Sequence, residues 1–263
     1  MGTAIVIGVG PDQGLGAQLC KRFAAEGLNV LVAGRTEAAL NAVVADIVAA
    51  GGRAVSVVAD ATSEADIVAL FDQAGSDLEL AIYNAGNNTP GKIIDMEAGY
   101  FEQSWRVVCF GGFLFGREAV RRMVPKGSGT LLFTGASASL RGRSGYGAFN
   151  SSKAGLRTLA QAMAKEYASD GIHVGHVVVD GAIGGEKIRK RFPDAASRED
   201  RLISIEGIVD GTSFFFTNSH VGPGPLSSTC EHRTRIGESR RIFSSGSAPE
   251  MADQRTGRVE ALS

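Results

Sequence analysis

Hydrophobic and polar residues follow two recurring patterns along the first two thirds of the chain. Short runs rich in Val, Ile and Ala are separated by stretches whose apolar residues recur every three or four positions, as on one face of a helix. The runs are predicted strands, at residues 4–8, 29–33, 54–59, 80–83, 130–134 and 173–179. The stretches between them are predicted helices, at residues 14–25, 37–49, 63–73, 100–124 and 149–168.

The predicted strands are apolar on both faces rather than alternating. Ile5-Val6-Ile7 and Val177-Val178-Val179 are uninterrupted apolar runs. Such runs are typical of a parallel sheet that is covered by helices on both sides. Regular strand–helix alternation, with right-handed crossovers, then predicts the α/β fold class: a single Rossmann-type, doubly wound parallel sheet flanked by helices.

The pattern changes after Gly211. Residues 212–263 contain nine Ser and six Arg but no Lys, and their few aliphatic residues follow neither the strand nor the helix period. Two explanations stay open: a polar, disordered extension, or translation in a shifted reading frame, which sequencing of the coding DNA would test. We therefore expect a domain at 1–211 and an irregular tail at 212–263. Without a seventh strand or a following helix, the sheet would keep an open edge.

Composition and charge narrow the classes of function. The 27 Lys and Arg balance 28 Asp and Glu, a net charge of −1, which argues against a binder of nucleic acid or of anionic membranes. No apolar run reaches the roughly 18 residues of a membrane span. The three cysteines are scattered, with no spacing typical of a disulfide framework or a metal site. These features predict a soluble cytoplasmic protein with no metal, membrane or nucleic-acid partner.

A glycine-rich turn follows the first predicted strand. Gly10, Gly14 and Gly16 lie between that strand and the helix that continues through Ala17. Glycines in this position let the backbone approach a pyrophosphate, and the helix N-terminus offers free N–H groups and a positive dipole end. A tight turn without a ligand is the alternative, but the strand–turn–helix context favours nucleotide binding.

The end of the second predicted strand bears on which dinucleotide is bound. A site that prefers NAD carries an Asp or Glu there for the ribose 2′-hydroxyl, whereas this chain reads Gly34-Arg35-Thr36. The planar guanidinium of Arg35 could pair with a 2′-phosphate, or it could be a solvated residue at a helix start. We therefore expect NADP, with NAD as the alternative.

Together these motifs resemble the short-chain dehydrogenase/reductase family over about residues 1–185. Gly10 to Gly16 matches the family's TGxxxGxG motif, with Val9 in the Thr place. Tyr83-Asn84-Ala85-Gly86 matches NNAG, and the stretch from Gly145 to Gly155 matches the region around YxxxK. The resemblance implies a dinucleotide-dependent oxidoreductase and assigns cofactor binding to Gly10, Gly14, Leu15, Gly16, Arg35, Asp60, Ala61, Asn84, Ala85, Gly86, Lys153, Gly181 and Ile183.

The catalytic positions depart from the family pattern. Members use an Asn-Ser-Tyr-Lys tetrad in which Tyr is the general acid/base. Here Phe149 stands in the Tyr place, Ala136 in the Ser place and Cys109 in the Asn place, so that only Lys153 remains. The loss of a positioned acid/base removes roughly 10²–10⁴ in rate, although hydride transfer belongs to the cofactor and could proceed with another proton source.

Two kinds of residue could replace the missing hydroxyls. Tyr146 lies seven residues before Lys153 and would share its helix face if the helix began early enough; an aromatic residue at the helix entrance is the alternative. Ser137 and Ser139 flank Ala136 and could replace the lost serine, or they could be loop serines bonded to backbone. The catalytic candidates are therefore Lys153, Ser137 and Tyr146.

Three hypotheses about function follow. The first is an NAD(P)(H)-dependent oxidoreductase that acts on a carbonyl or secondary alcohol with a degenerate tetrad. The second is a catalytically silent dinucleotide-binding sensor or scaffold. The third, another nucleotide-binding α/β enzyme, is disfavoured because the chain lacks the GxxxxGK[ST] motif of a P-loop. The expected partner is a small-molecule substrate, and a homo-oligomer would be weakened by the altered C-terminus.

Overall fold

A computed structural model describes residues 2–183, 202–218, 233–235 and 258–260. The parallel part of its central sheet consists of β1 Thr3–Ile7, β2 Asn29–Gly34, β3 Arg53–Val58, β4 Leu78–Tyr83, β5 Gly129–Thr134 and β6 Ile172–Val179. These six strands lie in the order β3-β2-β1-β4-β5-β6 and are all parallel. The predicted Rossmann-type sheet is confirmed.

Helices cover both faces of this sheet. They are α1 Leu15–Ala25, α2 Glu37–Ala49, α3 Glu64–Ala74, α4 Ala98–Trp105, α5 Gly111–Met123, α6 Gly147–Tyr167 and α7 Ile205–Asn218. One apolar cluster joins the sheet to α3, α5 and α6, and a second joins the opposite face to α1, α2 and α7. The inner strands, such as β1 and β4, are thus buried on both faces, which is why their sequences are nearly continuous apolar runs. The outermost strand of the parallel part, β3, is largely exposed.

The predicted helix at 100–124 is interrupted. Between α4 and α5 the chain forms a π-helical segment, Arg106–Phe110. The Tyr83 hydroxyl donates a hydrogen bond to the Val107 carbonyl oxygen within it, and the Tyr83 ring is fully buried against Phe115. Single-turn π segments are frequent at functional sites, and this one carries Cys109.

The tail prediction is wrong at the start of residues 212–263. Helix α7 crosses the proposed boundary and ends only at Asn218, because its apolar side packs on α1: Phe216 is 8% exposed, and its ring meets that of Phe23 edge-on at 5.7 Å. The tertiary contact outweighs the unfavourable composition. That the remainder derives from a shifted frame stays a hypothesis.

Four short strands complete the described part. They are β7 Ala182–Ile183, β8 Leu202–Ile203, β9 Arg233–Arg235 and β10 Arg258–Glu260. β7 pairs with β8 in parallel, away from the main sheet. β10 pairs antiparallel with the end of β6, where Val259 lies opposite Val179, and β9 pairs with β10. The expectation that no further strand borders β6 is therefore also wrong, at these residues.

Candidate dinucleotide-binding and catalytic cleft

The strand order creates a cleft at the carboxyl ends of the parallel strands. β1 and β4 are neighbours, and the chain leaves them toward opposite halves of the sheet. In open α/β sheets, ligands bind outside the carboxyl ends of the strands at such a switch point. The glycine turn follows β1, and the segment Asn84 to Gly86 follows β4, so both predicted motifs lie at this place.

The glycine turn is open on its outer side. A Cβ built at Gly10 would meet no atom within 4 Å, whereas one at Gly16 would lie 3.0 Å from both the Gly8 carbonyl oxygen and the Asn84 Nδ2. Helix α1 begins at Leu15, and its N-cap Gly14 provides no side-chain hydrogen bond, nor is there an acidic residue in the first turn. The uncapped N–H groups and the positive helix end therefore fit an anionic phosphate group.

Asn84 fastens the end of β4 to the turn after β1. Its backbone N–H donates to the Ile7 carbonyl at 2.9 Å, and its side-chain Nδ2 donates to the Gly8 carbonyl at 3.1 Å. A Cβ at Gly8 would overlap with the backbone of Ala85. The two motifs thus form one rigid floor, in which Gly8 permits the close approach of the two backbones.

Arg35 and Asp60 lie side by side at the ends of β2 and β3. The Ala59 N–H donates to the Gly34 carbonyl at 2.9 Å, which brings the two strand ends together. The Asp60 carboxylate accepts from the backbone N–H and the hydroxyl of Thr62, both at 2.8 Å. These bonds, with a smaller contribution from the Arg35 charge, lower the pKa of Asp60. Arg35 itself is exposed, whereas Ala61, which follows Asp60 in the chain, is buried.

Lys153 reaches the same cleft from α6. Its side chain is buried, at 5% exposure, and the Nζ donates to the Thr134 carbonyl oxygen at 2.6 Å. A Cβ at Gly86 would lie 3.8 Å from this Nζ, in ordinary contact. Burial lowers the pKa of Lys153 to about 8, because removing an ammonium from water disfavours its charged form.

The three positions that the sequence resemblance assigns to the rest of the tetrad, Phe149, Ala136 and Cys109, carry no hydroxyl. The Phe149 ring lies one helical turn before Lys153, with its centroid 6.0 Å from the Nζ. Ala136 follows β5 in extended conformation. Cys109 packs on α6, where its Sγ would be 3.0 Å from a Cβ at Gly155, and burial raises the pKa of its thiol.

The two predicted substitutes lie farther along the loop and at the helix entrance. Ser137 opens a short 3₁₀ turn, Ser137–Ser139, directly after Ala136, and it is half-buried. Ser139 is buried and donates to the Ala136 carbonyl at 2.7 Å, the backbone-bonded alternative. Because α6 begins at Gly147, Tyr146 is its N-cap and not part of the helix. The Tyr146 ring lies under Arg143, at 5.0 Å from the guanidinium carbon.

The last two predicted cofactor residues follow β6. Gly181 is exposed, and a Cβ there would touch Ile203 at 3.0 Å. Ile183 is half-buried in β7 and pairs with Ile203 of β8. Their roles in binding stay predictions.

His176 lies near this site, although no motif in the sequence marks it. It lies on β6 opposite Phe133 and is fully buried. Within the described residues, neither ring nitrogen has a hydrogen-bond partner. Burial, helped by the charges of Lys153 and Arg157, lowers the pKa of His176 to about 3. The sequence signal that could have located it is the parallel register of β5 and β6, which places His176 beside the carboxyl end of β5.

Two features of other classes of protein are absent from the described residues. No helix there is long and apolar enough to cross a membrane. The same residues hold no group of three or more His, Cys, Asp or Glu side chains arranged to bind a metal ion.

Comparison with known proteins places this geometry in context. Residues 3–190 match the family model described as short chain dehydrogenase. The chain is 31% identical over 203 residues to the sorbitol-6-phosphate 2-dehydrogenase of Escherichia coli K12, a match that covers 74% of this chain and 77% of the relative. An oxidoreductase of Bacillus subtilis is 30% identical over 181 residues, but the matched part spans only 26% of its length and 66% of this chain.

A solved structure shares both fold and sequence. The crystal structure of a short-chain dehydrogenase from Rhodopseudomonas palustris superposes with a TM-score of 0.65 at 42% identity, covering 67% of this chain and 84% of that one. The sorbitol-6-phosphate 2-dehydrogenase of Erwinia amylovora superposes with a TM-score of 0.75 at 24% identity. The second likeness concerns the fold alone.

Proposed function

The chain belongs to the short chain dehydrogenase family, and from that premise we propose that it is an NADP(H)-preferring oxidoreductase acting on a small-molecule carbonyl or secondary alcohol. One observation carries the proposal. The buried ammonium of Lys153 lies beside Gly86 at the carboxyl ends of the strands. The uncapped N-terminus of α1 and the Asn84 side chain lie at the same end of the sheet. Phosphate-binding backbone and a reactive side chain thus share one cleft.

The residues present fit a dinucleotide. A nicotinamide held here would supply or accept a hydride at a substrate carbon. The N–H groups of Leu15 and Gly16 would hold the diphosphate, and Gly10 leaves room for it. Lys153 retains donors beyond its bond to Thr134, and these would hold the ribose hydroxyls. The low exposure of Lys153 would keep water from competing for them.

The preference for NADP over NAD rests on Arg35. Its exposed guanidinium stands at the end of β2, and the neighbouring Asp60 carboxylate is already bonded to Thr62. A 2′-phosphate would find a planar, fully charged partner in Arg35. A free 2′-hydroxyl would lack the carboxylate acceptor that NAD sites provide at the end of this strand.

The Phe149 ring favours a second candidate. With Phe149 in the Tyr place and Ala136 in the Ser place, the cleft could hold a dinucleotide without turning over a substrate. The protein would then be a dinucleotide-responsive sensor or scaffold, as the sequence alternative proposes.

Calorimetric titration of the full chain with NADPH and then NADH, followed by nicotinamide absorbance assays on a panel of ketones, aldehydes and secondary alcohols, tests both candidates. Tighter binding of NADPH together with turnover supports the oxidoreductase. Binding without turnover of any compound in the panel supports the sensor. Binding of neither cofactor contradicts both.

A further inference from the structure

We propose that the Lys153 amine is itself the group that gives and takes the substrate proton in this protein. The inference rests on the proposed oxidoreductase function and deepens it, because it assigns the chemical step that Phe149 cannot perform. In the family, a lysine at this position assists a tyrosine. Here it would act alone.

The position of the Nζ is the first support. Lys153 extends from α6 to the end of β5, where the Nζ donates one hydrogen bond to the Thr134 carbonyl at 2.6 Å. An ammonium has three donors, so two remain for other partners. Gly86 offers no side chain to cover them, since even a Cβ there would stand 3.8 Å away. The Nζ therefore lies between the carboxyl end of β5 and Gly86, in the segment that follows β4.

The second support is the set of charged and titratable groups around Lys153. Arg157 follows it on α6, His176 faces it from β6, and Cys109 packs on α6 from the π-helical segment. Asp180, at the end of β6, pairs with Arg141 at 3.1 Å. No ion pair of Lys153 with a carboxylate occurs within the described residues.

These neighbours leave the ammonium destabilised. The imidazole of His176 is neutral near pH 7, since its pKa is lowered to about 3, and burial raises the pKa of the Cys109 thiol. Neither supplies a negative charge. Desolvation therefore dominates and brings the pKa of Lys153 to about 8, and an acid/base group works best when its pKa lies near the working pH.

The hydroxyl groups nearby are less suited to the step. The Ser139 hydroxyl already donates its hydrogen bond to the Ala136 carbonyl oxygen, at 2.7 Å. The Tyr146 ring is held under Arg143, outside α6. Ser137 is the remaining competitor, because it follows Ala136 directly at the end of β5.

Carbonyl reduction adds a hydride to carbon and a proton to oxygen. A bound nicotinamide would supply the hydride that reduces the carbonyl carbon and would itself be oxidised. The π electrons of the C=O bond move to oxygen, which takes a proton from the Lys153 ammonium, so that an N–H bond breaks and an O–H bond forms. The neutral amine then regains a proton from the solvent, so that the reduction consumes one solvent proton overall. Alcohol oxidation runs in reverse and begins with the neutral amine.

This assignment fixes the direction of the pH dependence. Reduction needs the ammonium, so its kcat/KM falls as pH rises through about 8, the pKa of Lys153. Oxidation needs the neutral amine, so its kcat/KM rises through the same pH. The pKa itself is measured without turnover, by NMR titration of the protein labelled with ¹³C at the lysine Cε.

Two variants and this titration test the proposal. Lys153→Arg keeps the positive charge but cannot release a proton near neutrality. We expect it to lose roughly 10²–10⁴ in kcat and to lose the change in rate near pH 8. NADPH binding should remain measurable by calorimetry, because the guanidinium can still donate hydrogen bonds to the ribose hydroxyls. Lys165→Arg, an exposed lysine on the same helix, is the matched control and should leave both the rate and its change near pH 8 unaltered.

Each other outcome overturns the assignment. A Lys153→Arg enzyme whose kcat lies within tenfold of the wild-type value would leave the oxidoreductase function intact and point to Ser137. A wild-type pH–rate profile whose apparent pKa differs from the NMR pKa of Lys153 would have the same meaning. If the variant does not fold, the match between these two pKa values in the wild type decides alone. Cofactor binding without any turnover by the wild type would overturn both the assignment and the oxidoreductase function.

Discussion

His176 fills the space beside Gly135, so that a Cβ on Gly135 would overlap with its imidazole ring. The ring is thereby held at the carboxyl end of β5, next to Ala136 and close to Lys153 and Arg157. A polar ring with no hydrogen-bond partner among the described residues is costly to bury, and this cost depends on pH.

The first prediction concerns acid stability. The folded-state pKa of His176, about 3, lies below the unfolded value near 6.5, so the unfolded chain takes up the proton first. Protonation of His176 therefore does not affect the free energy of unfolding above about pH 6.5. The free energy of unfolding falls as the pH decreases from there toward 3. Between about pH 6.5 and 5 the loss should be about 2 kcal/mol.

His176→Leu should remove that part of the pH dependence, because leucine cannot be protonated. Urea unfolding of both proteins at several pH values measures it. At pH 8 the variant should be as stable as wild type or more so, since an unpaired polar ring is replaced by an apolar group. An equal acid-induced loss in both proteins would contradict the prediction.

The second prediction restores the missing hydroxyls. Phe149→Tyr together with Ala136→Ser should raise kcat, but by less than the roughly 10²–10⁴ of a complete acid/base, because a phenol one turn from the Lys153 cation would take over a proton transfer that Lys153 already performs. Steady-state rates of carbonyl reduction measure the gain. Phe149→Leu with the same Ala136→Ser change is the control and should bring none. A double variant no faster than wild type would show that the cleft does not orient a substrate toward position 149.

The third prediction concerns cofactor choice. Arg35→Ala should weaken NADPH binding by roughly 10- to 100-fold, the value of a charged hydrogen bond, while NADH binding changes little. Arg53→Ala is the matched control. Arg53 is also exposed, but it begins β3 at the amino end of the strand, away from the cleft, and donates a hydrogen bond to the Gly27 carbonyl. Calorimetric dissociation constants decide the question. An equal loss for both cofactors would exclude a 2′-phosphate contact.

The fourth prediction tests helix α7. Phe216→Ala should cost about 3 kcal/mol of unfolding free energy, because a buried ring packed on Phe23 is lost. Phe214→Ala, on the same helix but 47% exposed, should cost less than about 1 kcal/mol. Urea denaturation compares the two. Equal, small losses would mean that α7 does not pack on α1 in solution, and that the domain ends near Gly211.

Local sequence was sufficient for the sheet and for the phosphate-binding turn. Apolar runs such as Ile5-Val6-Ile7 and the glycines after them act through neighbouring residues, because burial on both faces and backbone conformation are short-range requirements. The elements are therefore predicted to within a few residues. A helix at 100–124 was also predicted, but not its π-helical interruption, which lies where Tyr83 bonds to Val107.

The sequence by itself determined that Phe149 and Ala136 carry no hydroxyl wherever they lie, and the prediction of a degenerate tetrad rests on that. Only the tertiary structure determined which residues lie around these two positions. The buried environment of Lys153, the unpartnered ring of His176 and the packing of Phe216 on Phe23 all depend on residues distant in sequence. Desolvation and packing arise from these long-range contacts, so no local pattern along the chain encodes them.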